Sequence, residues 1–378
     1  MYSAVGANPE KPQEVARKYG LNRNLTWKLS RVMTAQDPFS ALNHLPGQQG
    51  MDLAVAAFEK AGAPTDLLDQ VRDSMKRFIE VVDQHAGDRD QLELTLESMG
   101  LFEREYRIET GRELAYRGNC MIWGVQARVR MALALVGPQG PDTMSFVSLG
   151  GLIGFRRLRP NVRWRLMRMQ IHSDLGNEPT DIGVGPIFPT PPGDPPFVIR
   201  EFCSDNVPAL EQVISPEGRE IMLPGGPVGS QGACDCVFGY AAKGLSRYRN
   251  EEDRFASVAA SILLPTEVLI CDLLLHNSVE LEGKPELLIY GFPHGGIDSP
   301  AAQSVQNQLP HNFDVTELVG SPPAVGTAHI PRYSRIVNRV YEHMGWKPDE
   351  FRGYRVQIPY PVMSSKVVLR WPLPVRPV

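Results

Sequence analysis

The spacing of apolar residues changes once along this chain of 378 residues, near Ile122. Before that point apolar side chains recur every three or four residues, which is typical of amphipathic helices. After it, alternating and β-branched runs are separated by clusters of glycine, proline and asparagine, which favours a mostly antiparallel β region with long loops. The sequence therefore predicts an α+β fold, with an N-terminal helical domain followed by a large, mostly antiparallel β-rich domain.

The same patterns predict individual elements and three domains. Helices are expected over 51–61, 65–85, 88–99 and 331–345, because each has an apolar stripe and a glycine or proline signal at an end. Strands are expected over 125–136, 144–153, 162–172, 197–202, 258–264, 267–275, 286–290 and 366–371. The predicted domains are a helix-turn-helix at 1–40, a helical connector at 41–118 and a β-rich effector or oligomerisation domain at 119–378.

Two short helices joined by a tight turn are predicted between Lys11 and Ala35. Gly20 can adopt the positive φ that such a turn requires, and the small Ala16 would let the two helices cross closely. Asn22 can cap the second helix by accepting a hydrogen bond from a free backbone N–H. The apolar face that joins the helices consists of Val15, Tyr19, Leu21, Leu25, Leu29 and Val32.

The opposite face of the second helix is polar and basic. It carries Arg23, Asn24, Trp27, Ser30, Arg31 and Thr34, and the stretch from Arg17 to Arg31 contains no acidic residue. Arginine and lysine suit phosphates, whereas arginine and asparagine suit base edges in a major groove. The candidate DNA-binding residues are Arg17, Lys18, Arg23, Asn24, Trp27, Lys28 and Arg31, and we expect Trp27 to be partly exposed. Two alternatives stay open: an ordinary helical hairpin with a solvated face, and a docking surface for a partner protein.

This segment resembles the helix-turn-helix regulators of bacteria as a broad class, over about 25 residues. The resemblance implies a sequence-reading, DNA-binding transcription regulator whose β domain senses a ligand or assembles subunits. A homodimer is expected, because one recognition helix contacts few base pairs. A complete three-helix unit is expected to need a helix before Lys11, with residues 1–5 as its last turn and the true start further upstream.

A second cluster of basic residues lies in the β region. Residues 156–168 contain six arginines and Trp164, and planar guanidinium groups suit phosphate or carboxylate. A small anionic ligand is therefore expected at Arg156, Arg157, Arg159, Arg163 and Arg165. The alternatives are a solvated strand face, or pairing with the acidic helical stretch 51–115, which holds fifteen acidic and eight basic residues.

Other chemistry is only weakly indicated. Cys234 and Cys236 form one close pair, with Cys203, Cys271 and His276 elsewhere, whereas structural zinc prefers two pairs. The run 294–296 resembles the His-Gly-Gly oxyanion loops of esterases, but no G-x-S-x-G motif is present in the sequence. No cofactor, metal or catalytic residue is predicted. Two further hypotheses remain: an oligomer-forming β-rich protein with a helical adaptor, and an enzyme whose pocket gathers His276, His294 or Asp298.

The composition and the apolar stretches of the chain indicate where in the cell the protein is expected. The chain carries a net charge of −4, lacks an apolar leader, and its longest apolar stretch, 262–275, is interrupted by Pro265, Glu267 and Asp272. Five cysteines, an odd number, do not suggest a disulfide framework. A cytoplasmic protein without a membrane partner is expected.

Overall fold

The computed structural model describes residues 1–42, 44–98, 104–169, 183–215, 218–250, 254–291 and 305–376. The chain divides into two compact units, Met1–Ile108 and Glu109–Val378. The division falls inside one helix, Arg104–Trp123, whereas the sequence predicts a boundary at residue 118, close to the end of that helix.

The first unit is helical. Its described helices are α1 Pro12–Tyr19, α2 Arg23–Thr34, α3 Pro38–Leu42, α4 Gln48–Lys60, α5 Thr65–His85 and α6 Arg89–Ser98, followed by α7 Arg104–Trp123, which continues into the second unit. The last three helices predicted in this region correspond to α4, α5 and α6. The end of α4 follows a breaker in the sequence, since this helix stops before Gly62.

One hydrophobic core joins the predicted helix-turn-helix to the helices that follow it. Phe58 of α4 is fully buried, and the rings of Tyr2 and Tyr19 each lie 5.0 Å from it, centre to centre. Val15 of α1 and Leu29 of α2 belong to the same cluster. The third helix of this bundle was expected before Lys11, but α4 provides it. A short 3₁₀ turn, Ser3–Val5, precedes α1 instead.

The second unit is built on β-strands. They are β1 Val125–Pro138, β2 Thr143–Arg157, β3 Trp164–Met169, β4 Gly183–Pro186, β5 Glu211–Ser215, β6 Gly218–Leu223, β7 Cys234–Ser246, β8 Phe255–Ile262, β9 Thr266–His276, β10 Glu286–Gly291, β11 Thr316–Leu318, β12 Phe351–Pro359 and β13 Ser365–Pro372. Among the described residues, seven strands form a main sheet in the order β11-β12-β9-β1-β2-β7-β4. Two three-stranded sheets, β10-β13-β8 and β3-β6-β5, accompany it.

Both faces of the main sheet are covered. On one face, Ile336 and Val340 of helix α8 (Tyr333–Met344) share a cluster with Leu133 and Leu149. On the opposite face, Val367 and Leu369 of β13 and other residues of the sheet β10-β13-β8 pack with Cys271, Leu273 and other side chains of the main sheet. Alternation along each strand sends successive side chains to these two layers.

The α+β prediction is confirmed, and most pairings are antiparallel; β1 and β9 pair in parallel. The strand predicted at 197–202 is wrong, because Arg200–Phe202 forms a 3₁₀ turn and only Val198 makes an isolated bridge. Residues 170–172 of another predicted strand lie outside the described residues. Strands β4, β5, β6, β7, β11 and β12 were not predicted, and of these β7 and β12 contain internal glycines. At Gly353 of β12 a Cβ would lie 2.9 Å from Leu318, so the glycine serves close packing.

No helix among the described residues combines the length and apolarity that crossing a bilayer would require.

Candidate nucleic-acid interface and neighbouring sites

The turn between α1 and α2 has the geometry that the sequence predicts. Gly20 has a φ of 66°, and the backbone N–H of Leu21 donates to the carbonyl of Ala16 over 3.0 Å. Asn22 precedes α2, and its side-chain oxygen accepts from the N–H of Asn24 at 2.8 Å. These bonds satisfy free groups at the end of α1 and the start of α2, which orients one helix against the other.

The inner side of α2 is wider than the apolar pattern predicts. Thr26 is fully buried, and its hydroxyl donates to the carbonyl of Arg23 at 3.0 Å. Ser30, expected on the exposed face, is 8% exposed and its hydroxyl donates to the carbonyl of Pro9. Thr26 and Ser30 can be buried because each hydroxyl donates a hydrogen bond to a nearby carbonyl. Burial therefore leaves no unpaired polar group.

The remaining polar residues of the predicted interface are accessible. The exposed side chains are Arg17, Lys18, Arg23, Asn24, Trp27 and Arg31, whereas Lys28 is half-buried. Trp27 is 42% exposed, as expected from the sequence, and its ring meets that of His44 edge-on at 5.2 Å. The structure therefore places these side chains on one accessible stretch from the end of α1 along α2.

This stretch is electrostatically positive. Among the described residues, none of its five basic side chains has a carboxylate oxygen within 4.0 Å; the ion pair found on α1 is Lys11 with Glu14, at 3.2 Å. Lys18 instead approaches the carbonyl of Val5 at 3.5 Å and the ring of Tyr19 at 5.0 Å. Uncompensated basic groups on exposed side chains of a helix suit the phosphate backbone of nucleic acid.

The five arginines expected to hold an anion do not converge on one site. Four have exposed or half-exposed partners: Arg156 lies 3.8 Å from Glu267, Arg159 donates to the carbonyl of Ile122 at 2.6 Å, Arg163 pairs with Glu211, and Arg165 pairs with Glu220 at 2.9 Å. Their carboxylate partners, Glu267, Glu211 and Glu220, lie in the β unit.

Arg157, the fifth of these arginines, is structural. It is 1% exposed, donates to the carbonyls of Val162 and Pro224, and lies with its guanidinium 5.3 Å from the ring of Phe155. Burial lowers the pKa of this guanidinium. The side chain therefore ties loop carbonyls together, and an arginine used in this way has no open side for a ligand.

His276 lies in a short polar chain at the end of β9. Its Nδ1 is 2.8 Å from the hydroxyl of Ser278, and its Nε2 is 3.3 Å from a carboxylate oxygen of Glu350. The backbone N–H of Ser278 also donates to Nδ1, at 3.1 Å, so the ring nitrogen caps a tight turn. His276 lines neither of two cavities of about 690 Å³ in the β unit, and His294 and Asp298 lie outside the described residues.

The cysteines are buried free thiols. In β7, Cys234 and Cys236 lie two residues apart on one side of the strand, and Cys203 donates to the carbonyl of Ile199 at 3.5 Å. Burial raises the pKa of Cys203 and raises that of Cys271 to about 12. The described residues contain no group of three or more histidine, cysteine or acidic side chains placed to hold a metal ion.

Two cavities of about 690 Å³ each lie in the β unit. They share Phe146, Tyr240 and Val258, and one of them also contains Arg130 and Lys366 in its wall. This second cavity was not predicted from the sequence. Its sequence signal is an arginine at 130 directly before the apolar run 131–136 of β1, a position where a charge needs a partner.

No family model matches the chain, and no curated protein matches it. One solved structure that it matches is a crystal structure from Parabacteroides distasonis described as a "putative protease". The two chains are 8% identical, and the alignment covers 65% of this chain but only 40% of that one. The TM-score of 0.25 is too low for a shared fold, so this likeness carries no argument about the chain.

Proposed function

We propose that the first unit binds DNA, with α2 in the major groove. The observation that carries the proposal is the accessible start of α2, where Arg23 and Asn24 are exposed and Arg31 follows two turns later. Recognition helices contact base edges mainly through their N-terminal residues. Arginine pairs with guanine and asparagine with adenine through two hydrogen bonds each, so these side chains suit base recognition.

The other basic side chains suit contacts to phosphate. Arg17 and Lys18 lie in the last turn of α1, and Lys28 lies on the flank of α2. In helix-turn-helix proteins the first helix crosses the sugar-phosphate backbone while the second enters the groove. Contacts to phosphate fix the register of the protein on the duplex but carry no sequence information directly.

In the whole protein, this unit would serve a cytoplasmic transcription regulator. A homodimer would present two copies of α2, which is how a short recognition helix reaches useful specificity. The β unit would then sense a ligand or assemble subunits. Light scattering on the purified chain would test the dimer, because a monomer at micromolar concentration would require a different route to specificity.

The DNA-binding proposal is tested by selecting duplexes from a random-sequence library and measuring their affinity by fluorescence anisotropy. Replacing both arginines, Arg23→Ala with Arg31→Ala, should weaken binding at least about tenfold, because bidentate base contacts are worth about 1–3 kcal/mol each. The matched control replaces Lys76 and Arg77, two exposed basic residues of α5. Equal effects of the two double variants, or no selected sequence, would contradict the proposal.

A second candidate function, assembly through the β unit, is favoured by one surface. Met121, Ile122 and Trp123 at the end of α7 are 78, 70 and 46% exposed. Neighbouring large apolar side chains at a surface often mark a site of association. Light scattering of Met121→Ser with Ile122→Ser would test it: a closed assembly of many subunits in the unmodified chain that the double variant dissolves would favour this candidate over a DNA-binding dimer.

A further inference from the structure

The more polar of the two cavities lies against the face of the main sheet opposite α8. Its wall includes Arg130 of β1, Ser148 of β2, Phe238 and Tyr240 of β7, and Ser261 of β8. At about 690 Å³ it falls within the size range of pockets that bind small molecules. Such pockets combine apolar walls with a few polar groups that orient the ligand, and this wall has that composition.

Arg130 brings a charge into this wall without an acidic partner. Its Nη1 donates to the carbonyl of Met131 and lies 3.5 Å from that of Gly151, and both of these acceptors are neutral. Within the described part of the chain no carboxylate oxygen lies within 4.0 Å of the guanidinium. Burial lowers the pKa of Arg130 to about 10, so the group remains charged at neutral pH. A partly buried charge without a counterion is costly, and an anion would relieve that cost.

Further basic side chains line the same cavity. Arg165 and Arg168 line the cavity and share one carboxylate, that of Glu220, at 2.9 and 3.7 Å. Lys366 lines it as well. The acidic residue in the described wall is Asp272, whose carboxylate is occupied by Arg355 at 2.8 and 2.7 Å. The described wall therefore offers no free carboxylate to Arg130.

A glycine makes room for the charged group beside an aromatic wall. A Cβ at Gly150 would lie 2.5 Å from the ring of Phe238 and 3.0 Å from Nη1 of Arg130. Because that space is left open, the guanidinium lies 5.7 Å from the centre of the Phe238 ring. A charge held next to a flat apolar surface favours a ligand that has both an anionic group and a flat apolar body.

Strand β8 adds hydrogen-bond donors to the same wall. It is an edge strand, paired with β13 alone among the described strands. The N–H of Leu373 donates to the carbonyl of Arg254, and the register is unbroken from there. Alternate residues, including Ser257, Ala259 and Ser261, therefore turn their backbone groups away from β13, and these three line the cavity.

We propose that this cavity binds a small organic carboxylate with a flat apolar body, its carboxylate on Arg130 and its body along Phe238 and Tyr240. This site goes beyond the proposed DNA binding and does not depend on it. It also replaces the anion site expected from the sequence, because four of the five arginines expected there lie outside this cavity and the fifth, Arg165, is paired with Glu220.

The test is isothermal titration calorimetry of the full chain with 2-naphthoate, 2-naphthamide and inorganic phosphate. We expect naphthoate to bind at one site and the neutral amide to bind at least about tenfold more weakly, because it lacks the charge that Arg130 complements. Arg130→Met should weaken naphthoate binding by about tenfold or more, whereas Arg163→Met, a loss of the same charge outside the cavity, should change it less than about twofold.

A second variant keeps the test decisive if Arg130→Met unfolds. Ala259 is an exposed residue of the cavity wall, so Ala259→Phe should fill the space, leave the thermal transition in place and abolish naphthoate binding. The proposal is overturned if naphthoate does not bind, if Ala259→Phe binds it normally, or if the amide binds equally well. If phosphate binds tightly and naphthoate does not bind, an organic carboxylate is the wrong class of ligand for this cavity. That result would not affect the DNA-binding proposal.

Discussion

The guanidinium carbon of Arg31 lies 5.5 Å from the centre of the Trp27 ring, on the accessible side of α2. The indole is in turn held edge-on by His44. The Trp27 ring therefore contacts His44 of the first unit and also the guanidinium group of Arg31. An arginine oriented in this way loses less conformational freedom when it binds a phosphate or a base.

Replacing Trp27 by alanine should leave the unit folded. Because the side chain is 42% exposed, we expect Trp27→Ala to lower the free energy of unfolding by about 1 kcal/mol or less. Phe58→Ala, at the centre of the same core, should lower it by about 3–5 kcal/mol. Urea unfolding followed by circular dichroism measures both. A loss near that of Phe58→Ala would make Trp27 a core residue and remove it from the interface.

The turn between the two helices should depend on the backbone at Gly20. No atom lies within 4 Å of a Cβ built there, so a substitution meets only the strain of its φ of 66°. Gly20→Ala should therefore cost about 1–2 kcal/mol, and Gly20→Asn less, because asparagine tolerates the left-handed region better. Urea midpoints for the two variants check this order. Equal costs would show that something other than backbone strain determines the preference.

The pair of Asp272 and Arg355 should be the most sensitive ion pair of the β unit. Asp272 is fully buried and accepts two hydrogen bonds from Arg355, which also donates to the carbonyl of Val325 at 2.5 Å. Asp272→Asn would leave a buried guanidinium without its counterion, at a cost of about 3–5 kcal/mol. Glu286→Gln, in an exposed pair with Arg370, should cost less than about 1 kcal/mol. Similar midpoints of unfolding in guanidinium chloride for the two variants would contradict this ranking.

Three of the thiols, those of Cys120, Cys203 and Cys271, should be unreactive in the folded protein. Burial raises the pKa of Cys120 and Cys203 and brings that of Cys271 to about 12, so little thiolate forms at pH 8. Reaction with Ellman's reagent at that pH should be at least about a hundredfold slower for these thiols than after unfolding in guanidinium. Since thiolate increases as the pH approaches the raised pKa, the native rate should increase further between pH 8 and pH 10. Fast native reaction of Cys120, Cys203 and Cys271 would contradict this account.

Local signals predicted the helical hairpin well. Gly20 and Asn22 act where their backbone and capping preferences place them, because both preferences operate within one turn of helix. Ser30 was misplaced, since its burial depends on the carbonyl of Pro9, a partner 21 residues away. The bundle's third helix likewise could not be identified from residues 11–35 alone.

The β unit was harder to predict because its contacts are distant in sequence. The arginines at 156–168 form a cluster along the chain, yet their partners lie as far away as Glu267, and pairing disperses them. Arg130 was not singled out, because only the fold brings Phe238 and Ser261 to its side. The close packing at Gly239 of β7 and Gly353 of β12 likewise involves other strands, which the local sequence does not show.

DNA binding by the basic side chains of α1 and α2 is best tested by the salt dependence of the affinity. A helix whose basic residues contact phosphates and bases should show a steep linear fall of log K with log salt, with a slope near −0.9 for each phosphate contact. Arg17→Ala with Lys18→Ala should then make the slope shallower by about 2, whereas Lys76→Ala with Arg77→Ala should leave it unchanged. Binding that does not weaken with salt, or a slope unchanged by the α1 substitutions, would contradict DNA recognition by this face.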